Sequence, residues 1–186
     1  MAEGRNRRQS VVTEIWFYFE GAYALRAGFH KFLKEIVDRA RNRRIKLHLR
    51  PCGATATEDY EIALRKHPDA LNILLRDSDG SEIPNPPEEA EFWMVELMEA
   101  WFLADPEALE EYYGSPFART YNPRVEEIPK ADVLTRLKDA TRHTQKGSYH
   151  KTKHAPHILE RLDPTKVRNA APNCERLFRE VLAKLL

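Results

Sequence analysis

From Glu14 to Gly21 the chain reads EIWFYFEG, an almost unbroken apolar and aromatic run closed by glycine, which predicts a buried strand. Leu25, Phe29, Phe32, Leu33, Ile36 and Val37 then recur at helical spacing among basic residues, predicting an amphipathic helix with a basic outer face. In IKLHLRPCG, Ile45, Leu47 and Leu49 alternate with Lys46, His48 and Arg50, the pattern of a half-buried strand near an edge. Thr57, Glu58 and Asp59 open a short helix through TEDYEIALRKH, which Pro68 closes, and ALNILLRD is the next strand. Strands separated by helical runs in the order β-α-β-α-β predict right-handed crossovers and a parallel sheet.

Beyond Asp79 the pattern changes. SEIPNPPEE is a Pro-rich loop, and FWMVEL reads as a further core strand. MEAWFLAD and PEALEEYY predict either one interrupted helix or two helices joined at Asp105-Pro106. ADVLTRLKDATRHT, HAPHILERLD and CERLFREVLAKLL are helical, the last with a clear apolar face, and TQKGSYHKTKH is a basic loop. Trp93 and Trp101 read as core, with an exposed interface as the alternative. Residues 1–12 are expected to be a flexible basic N-terminus. Residues 13–186 are expected to form one domain with a helical C-terminal extension from about 128 to 186.

Composition narrows the class without naming a function. The 186 residues are 42% hydrophobic and 32% charged, ordinary for a single globular domain. A formal net charge of +1 says nothing of nucleic acid, but its distribution does. Glu82 to Glu111 contains no Lys or Arg, whereas Thr141 to Arg168 is rich in Lys, Arg and His. That asymmetry suits a metal centre beside a phosphate-binding surface, and equally two solvated faces. Cys52 and Cys174 are distant and belong to no CxxC pair, which fits a reduced, cytoplasmic chain without structural zinc. The run VVTEIWFYF is too short to span a membrane, so no membrane association is expected.

The candidate chemistry lies at predicted strand ends. Glu20 ends the first strand, and Asp77 and Asp79, in LLRDSDG, end the third; a parallel sheet brings such ends to one edge. Gathered carboxylates need a cation, a proton or a basic partner. Oxygen-only ligands suit Mg²⁺ or Mn²⁺ rather than zinc. The competing reading is an Asx turn at Asp77 and Asp79 with Glu20 paired to an arginine. Glu99 is a further candidate within an apolar segment, with Glu96 and Asp105 as alternatives. In KGSYHKTKH, Lys146, Lys151, Lys153 and His154 surround Gly147 and Tyr149, a composition able to cradle a phosphate and stack on a base. His150, His154 and His157 have helical spacing, but neighbouring lysines and the lack of a nearby cysteine argue against zinc.

The ordered series FYFEGAYALRAGFHKFL, RPCGATATEDY, LLRDSDG, VELMEAWFLADPEAL, EEIPKADVL and KGSYHKTKHAPHILERLDPTKVR resembles the bacterial domain-of-unknown-function family 4276, from about Ile15 to about Arg168. Members of that family look like Toprim-fold proteins, related to the Toprim domains of overcoming-lysogenization-defect-type nucleases. The resemblance implies an α/β, Toprim-like three-layer sandwich with a mostly parallel central sheet and a helical C-terminal region. It also implies Glu20, Asp77 and Asp79 as catalytic and metal-binding residues, and Glu99 as a further ligand. Lys146, Lys151, Lys153 and His154 fall in the family's basic motif, where contact with phosphate or nucleic acid is expected. One departure stands out: Ala22 and Tyr23 follow the EG pair, where relatives often carry small or acidic residues. The expected function is Mg²⁺-dependent phosphodiester hydrolysis on nucleic acid, in phage defence with an ATPase partner. The alternative is a non-catalytic binding or regulatory module for a nucleotide, nucleic acid or partner ATPase. Both leave open a homo-oligomer.

Overall fold

A computed structural model describes residues 12–119 and 122–186; most of the expected N-terminal segment, 1–11, lies outside the described residues. Four strands form one sheet: β1 (Glu14–Phe19), β2 (Lys46–Pro51), β3 (Leu71–Asp77) and β4 (Glu91–Met94), in the order β2-β1-β3-β4. All three pairings are parallel. The predicted parallel sheet is therefore present, and FWMVEL supplies its fourth strand. β2 lies at an edge, as its alternation predicts, while the central β1 is apolar on both faces.

The two faces of β1 enter different cores. Ile15, Phe17 and Phe19 join Ile73, Leu75, Phe92 and Met94 in a large core under α1 (Arg26–Phe32), α2 (Lys34–Asn42) and later helices. Tyr18 and Leu74 point the other way, against Ala56, Tyr60 and Ala63 of α3 (Ala56–Lys66). Period-two alternation along the strands thus produces three layers. The remaining helices are α4 (Pro106–Tyr113), α5 (Lys130–Thr141), α6 (Lys151–Leu159), α7 (Pro164–Ala170) and α8 (Pro172–Lys184). No described helix is long and apolar enough to cross a membrane.

Two departures from the predicted elements matter for the site. MEAWFLA is a 3-10 helix, Met98–Ala104, with every residue buried. A segment apolar nearly all round is a core element, and Trp101 stacks on Phe32 with ring centroids 5.0 Å apart. Trp93 is buried too, so the core reading of both tryptophans holds. Asp105 then caps α4, accepting from the Ala108 N–H at 3.2 Å and from Lys166 Nζ at 2.8 Å. Those bonds account for Asp105 as a cap and ion-pair residue. Second, Lys151 to His154 belong to α6 rather than to a loop.

α6 is pressed against α1. A Cβ added to Gly28 would lie 2.8 Å from Leu159 Cγ and 2.9 Å from its Cβ, so the two helices meet where no side chain fits. Gly28→Leu is expected to lower stability by roughly 1–3 kcal/mol, even after the helix-propensity gain of about 1 kcal/mol on losing glycine. A urea unfolding midpoint equal to that of the wild type would contradict this close approach.

Candidate functional site

The carboxyl edge of the sheet is where the acids gather. Register sets Phe19 beside Leu75 and Asp77 beside Met94. Glu20 extends the β1–β3 pairing one step, its N–H donating to the Leu75 carbonyl at 3.0 Å. Glu20 and Asp77 therefore leave the sheet from adjacent strands at nearly the same level. Asp77 turns back over the edge, and its Oδ1 accepts from the Met98 N–H at 2.9 Å. That partner lies 21 residues away, so Asp77 makes no Asx turn.

Asp79 behaves differently. The Ser81 N–H donates to the Ser78 carbonyl at 2.8 Å. Asp79 and Gly80 between them have φ of +53° and +80°, the signs of a type I′ turn. The Asp79 N–H reaches the Glu96 carbonyl at 3.1 Å, and the Glu96 N–H donates to Ser78 Oγ at 2.7 Å. Glu96 also has a positive φ, +61°, a rare state for a glutamate. The Asp79 side chain is 60% exposed and pairs with Lys130, the first residue of α5. The turn and a half-buried acid thus coexist in LLRDSDG, at Asp79 and Asp77 respectively.

Glu99 is the acid the sequence most undervalued, because its helical neighbours in sequence do not reveal that it points inward. It is 0% exposed. Its Oε1 accepts from the Tyr149 hydroxyl at 3.0 Å and lies 3.3 Å from Lys151 Nζ. Its Oε2 is buried with no hydrogen-bond partner among the described residues. A buried carboxylate oxygen without a donor is costly, so this atom requires explanation.

Charges around Asp77 tie these residues together. Burial pushes the Asp77 carboxyl up to about 7; Lys151 and the Met98 N–H pull it down, while Glu99 and Glu20 raise it further. Burial and then the adjacent Glu99 also raise the Tyr149 hydroxyl well above the usual phenol range, so Tyr149 is a hydrogen-bond donor throughout neutral pH. The site holds Glu20, Asp77 and Glu99 with Tyr149 and Lys151, and places Asp79 on its outer side with Lys130.

The basic motif divides as well. Lys151 points to Glu99, whereas Lys146 Nζ sits 5.1 Å from the Tyr112 ring centroid. Lys153, two residues along α6, is exposed and cannot share a face with Lys151. His154 is buried, which removes it from an expected phosphate-contact surface. Its Nδ1 lies 2.7 Å from the Tyr113 hydroxyl and accepts from the His150 N–H at 3.2 Å. Burial, then the positive neighbours His150 and Lys153, hold its pKa low. Tyr149 is buried too, so it is no stacking platform for a base.

Lys130 had no assigned role. Lys130 and Lys151 are both first residues of helices, where a cation opposes the helix dipole. Each is compensated by an anion, Lys130 by Asp79 and Lys151 by Glu99.

Among the described residues, no three His, Cys, Asp or Glu side chains form a metal cage. Mg²⁺ does not require one: it keeps several waters and commonly uses one or two carboxylates with substrate phosphate. The orphaned Glu99 Oε2 and the adjacent Asp77 carboxyl fit such an ion, and the absence of sulfur or imidazole ligands beside them does not suit zinc.

Asp77 also gives the metal-free protein a pH signature. Its pKa is 3.8 as an ordinary carboxyl and about 7 when folded, so the folded state binds more protons between those values. Stability is therefore greatest below about pH 4 for this group and falls as pH rises to about 7, by at most about 4 kcal/mol. In EDTA, Asp77→Asn is expected to flatten that fall in melting temperature between pH 5 and about 7. An identical pH slope in both proteins would contradict the placement of Asp77.

Taken together, these features define an α/β protein with a cluster of acidic and basic side chains at the carboxyl end of a parallel sheet, where open sheets of this class bind ligands. The chain belongs to the domain of unknown function family DUF4276, matched over residues 27–182. Among solved structures it is similar to the C-terminal region of the Burkholderia pseudomallei OLD protein. Identity is 13% and the TM-score 0.43, with 90% of this chain and 98% of that chain covered. No curated protein matches the sequence.

Proposed function

We propose that this cluster is a Mg²⁺- or Mn²⁺-dependent phosphodiesterase site acting on nucleic acid, Toprim-like in its acids. The observation that carries this reading is Glu99: fully buried, with Oε2 unpartnered, beside an Asp77 carboxyl pushed up to about 7. A buried acid beside a half-buried one, with a single lysine near both, is an arrangement of negative charge that a divalent cation relieves. The ordered motifs shared with the family add Glu20 and the DxD pair.

Asp77 and Glu99 would hold the cation, Asp77 fixed by the Met98 N–H and Glu99 by Tyr149. When bound, the ion supplies Lewis-acid polarisation of a phosphate oxygen. Glu20, half-exposed at the end of β1, accepts the proton of the attacking water. Lys151, with a side chain 57% exposed, faces both the acids and solvent, and holds the phosphate electrostatically. Asp79 and Lys130 line the outer side, where Asp79 contributes through its charge. The setting in phage defence with an ATPase partner belongs to this proposal and rests on the family resemblance alone.

A binding-only module remains the second reading, favoured by one observation. Lys151 and Lys130 already pair with Glu99 and Asp79, as in a site that needs no metal. Purified protein incubated with labelled single- and double-stranded DNA and RNA, in Mg²⁺, Mn²⁺ or EDTA, separates the two. Metal-dependent cleavage is expected; binding without cleavage under every condition would leave the second reading.

A further inference from the structure

A second feature opens along α1, and the acids do not account for it. Between α1 and the edge strand β2 lies a groove of about 720 Å³. Leu47 and Leu49 of β2 contribute apolar surface to it, with Ala24 and Ala27. Arg26, His30 and Lys31 line it against the carboxylate Glu160. Arg26 is fixed, its Nε donating to the Leu49 carbonyl at 3.1 Å. Tyr23, also lining the groove, is 75% exposed, while the other large aromatics described are buried or half-buried. It stands three residues beyond Glu20 in the sequence.

We propose that this groove binds single-stranded nucleic acid, with one base against Tyr23 and the neighbouring phosphates on Arg26 and Lys31. The inference deepens the nucleic-acid reading and rests on it only for the position of the scissile phosphate. An exposed ring beside cationic side chains and an apolar floor is the combination that holds unpaired bases and their backbone. A duplex keeps its base faces stacked inside and offers none to Tyr23. Geometry also links the groove to the acids. α6 begins at Lys151 beside Glu99 and ends next to Glu160 in the groove. At 1.5 Å per residue, that helix is about 14 Å long. A strand held at Tyr23 thus reaches the acids within a few nucleotides.

Fluorescence anisotropy in EDTA, using labelled 12-mers of oligo(dT) and oligo(U) and a duplex of equal length, tests this independently of catalysis. Tyr23→Ala is expected to weaken both single strands by about tenfold or more, Tyr23→Phe by less than about twofold, and the duplex by neither. Lys31→Glu is expected to weaken single-strand binding and reduce its salt dependence by roughly one phosphate contact. Wild-type protein that binds no single strand, unchanged affinity in Tyr23→Ala, or an equal loss for duplex would each overturn the proposal. A preference for oligo(dT) over oligo(U), or the reverse, identifies DNA or RNA as the source of the strand. Because binding is read without metal, loss of cleavage in Asp77→Asn and loss of binding in Tyr23→Ala are separate results. Tyr23-dependent binding by a chain that never cleaves would retain the groove and remove the enzyme.

Discussion

Asp77→Asn is expected to lower metal-dependent cleavage by at least about a hundredfold, with little loss of fold. Asparagine keeps an oxygen for the Met98 N–H, so the backbone at the start of the 3-10 segment retains its anchor. What disappears is the negative charge that pairs with the cation and, through it, the stabilisation of charge on the phosphate. Asp79→Asn makes the informative comparison. Its carboxylate is 60% exposed and paired with Lys130 on the outer side, so solvent screens its influence. A loss below about tenfold is expected there. Equal losses for the two variants in a cleavage time course would show that both aspartates ligate the ion equally, against the geometry described above.

Glu99→Gln is expected to abolish the rise in melting temperature that Mg²⁺ or Mn²⁺ produces. Metal binding to the folded state alone adds about 2.7 kcal/mol at a hundredfold excess over the dissociation constant. For a chain of this size that is about 5–10 °C. Without metal, the same substitution removes a carboxylate that is 0% exposed and has one unpartnered oxygen. It also removes the ion pair with Lys151, and the two effects oppose each other. The metal-free variant should therefore melt within a few degrees of the wild type. Differential scanning fluorimetry with and without ion reads both numbers. A metal-induced shift preserved in Glu99→Gln would remove Glu99 from the site.

The strands were legible because their signal is short-range. Apolar runs in EIWFYF and LLRD, and alternation in KLHLRP, reflect burial on two faces and on one, and the sheet order follows that distinction. Glu20 and Asp77 were legible for the same reason, since parallel strands place their ends together. Glu99 was legible as a candidate but its burial was not, because a 3-10 segment buried on every side carries no amphipathic stripe from which to read direction. The division between Asp77 and Asp79 depends on two positive-φ residues, Asp79 and Glu96, meeting across a turn. No spacing rule reports that contact. His154 and Tyr149 looked like surface groups among lysines, yet each fills a buried position at the start of α6. Lys130 carried no such signal, because its pairing with Asp79 joins residues 51 positions apart.

The central claim is that Asp77 and Glu99 together hold a divalent cation. A crystal soaked in millimolar Mn²⁺ tests it most directly, through anomalous scattering. The account predicts a peak at the carboxyl end of β3, roughly 2.1 Å from a carboxylate oxygen of each residue, with Lys151 displaced from Glu99. No peak at that position, or one bound only by Asp79 on the outer turn, would contradict it.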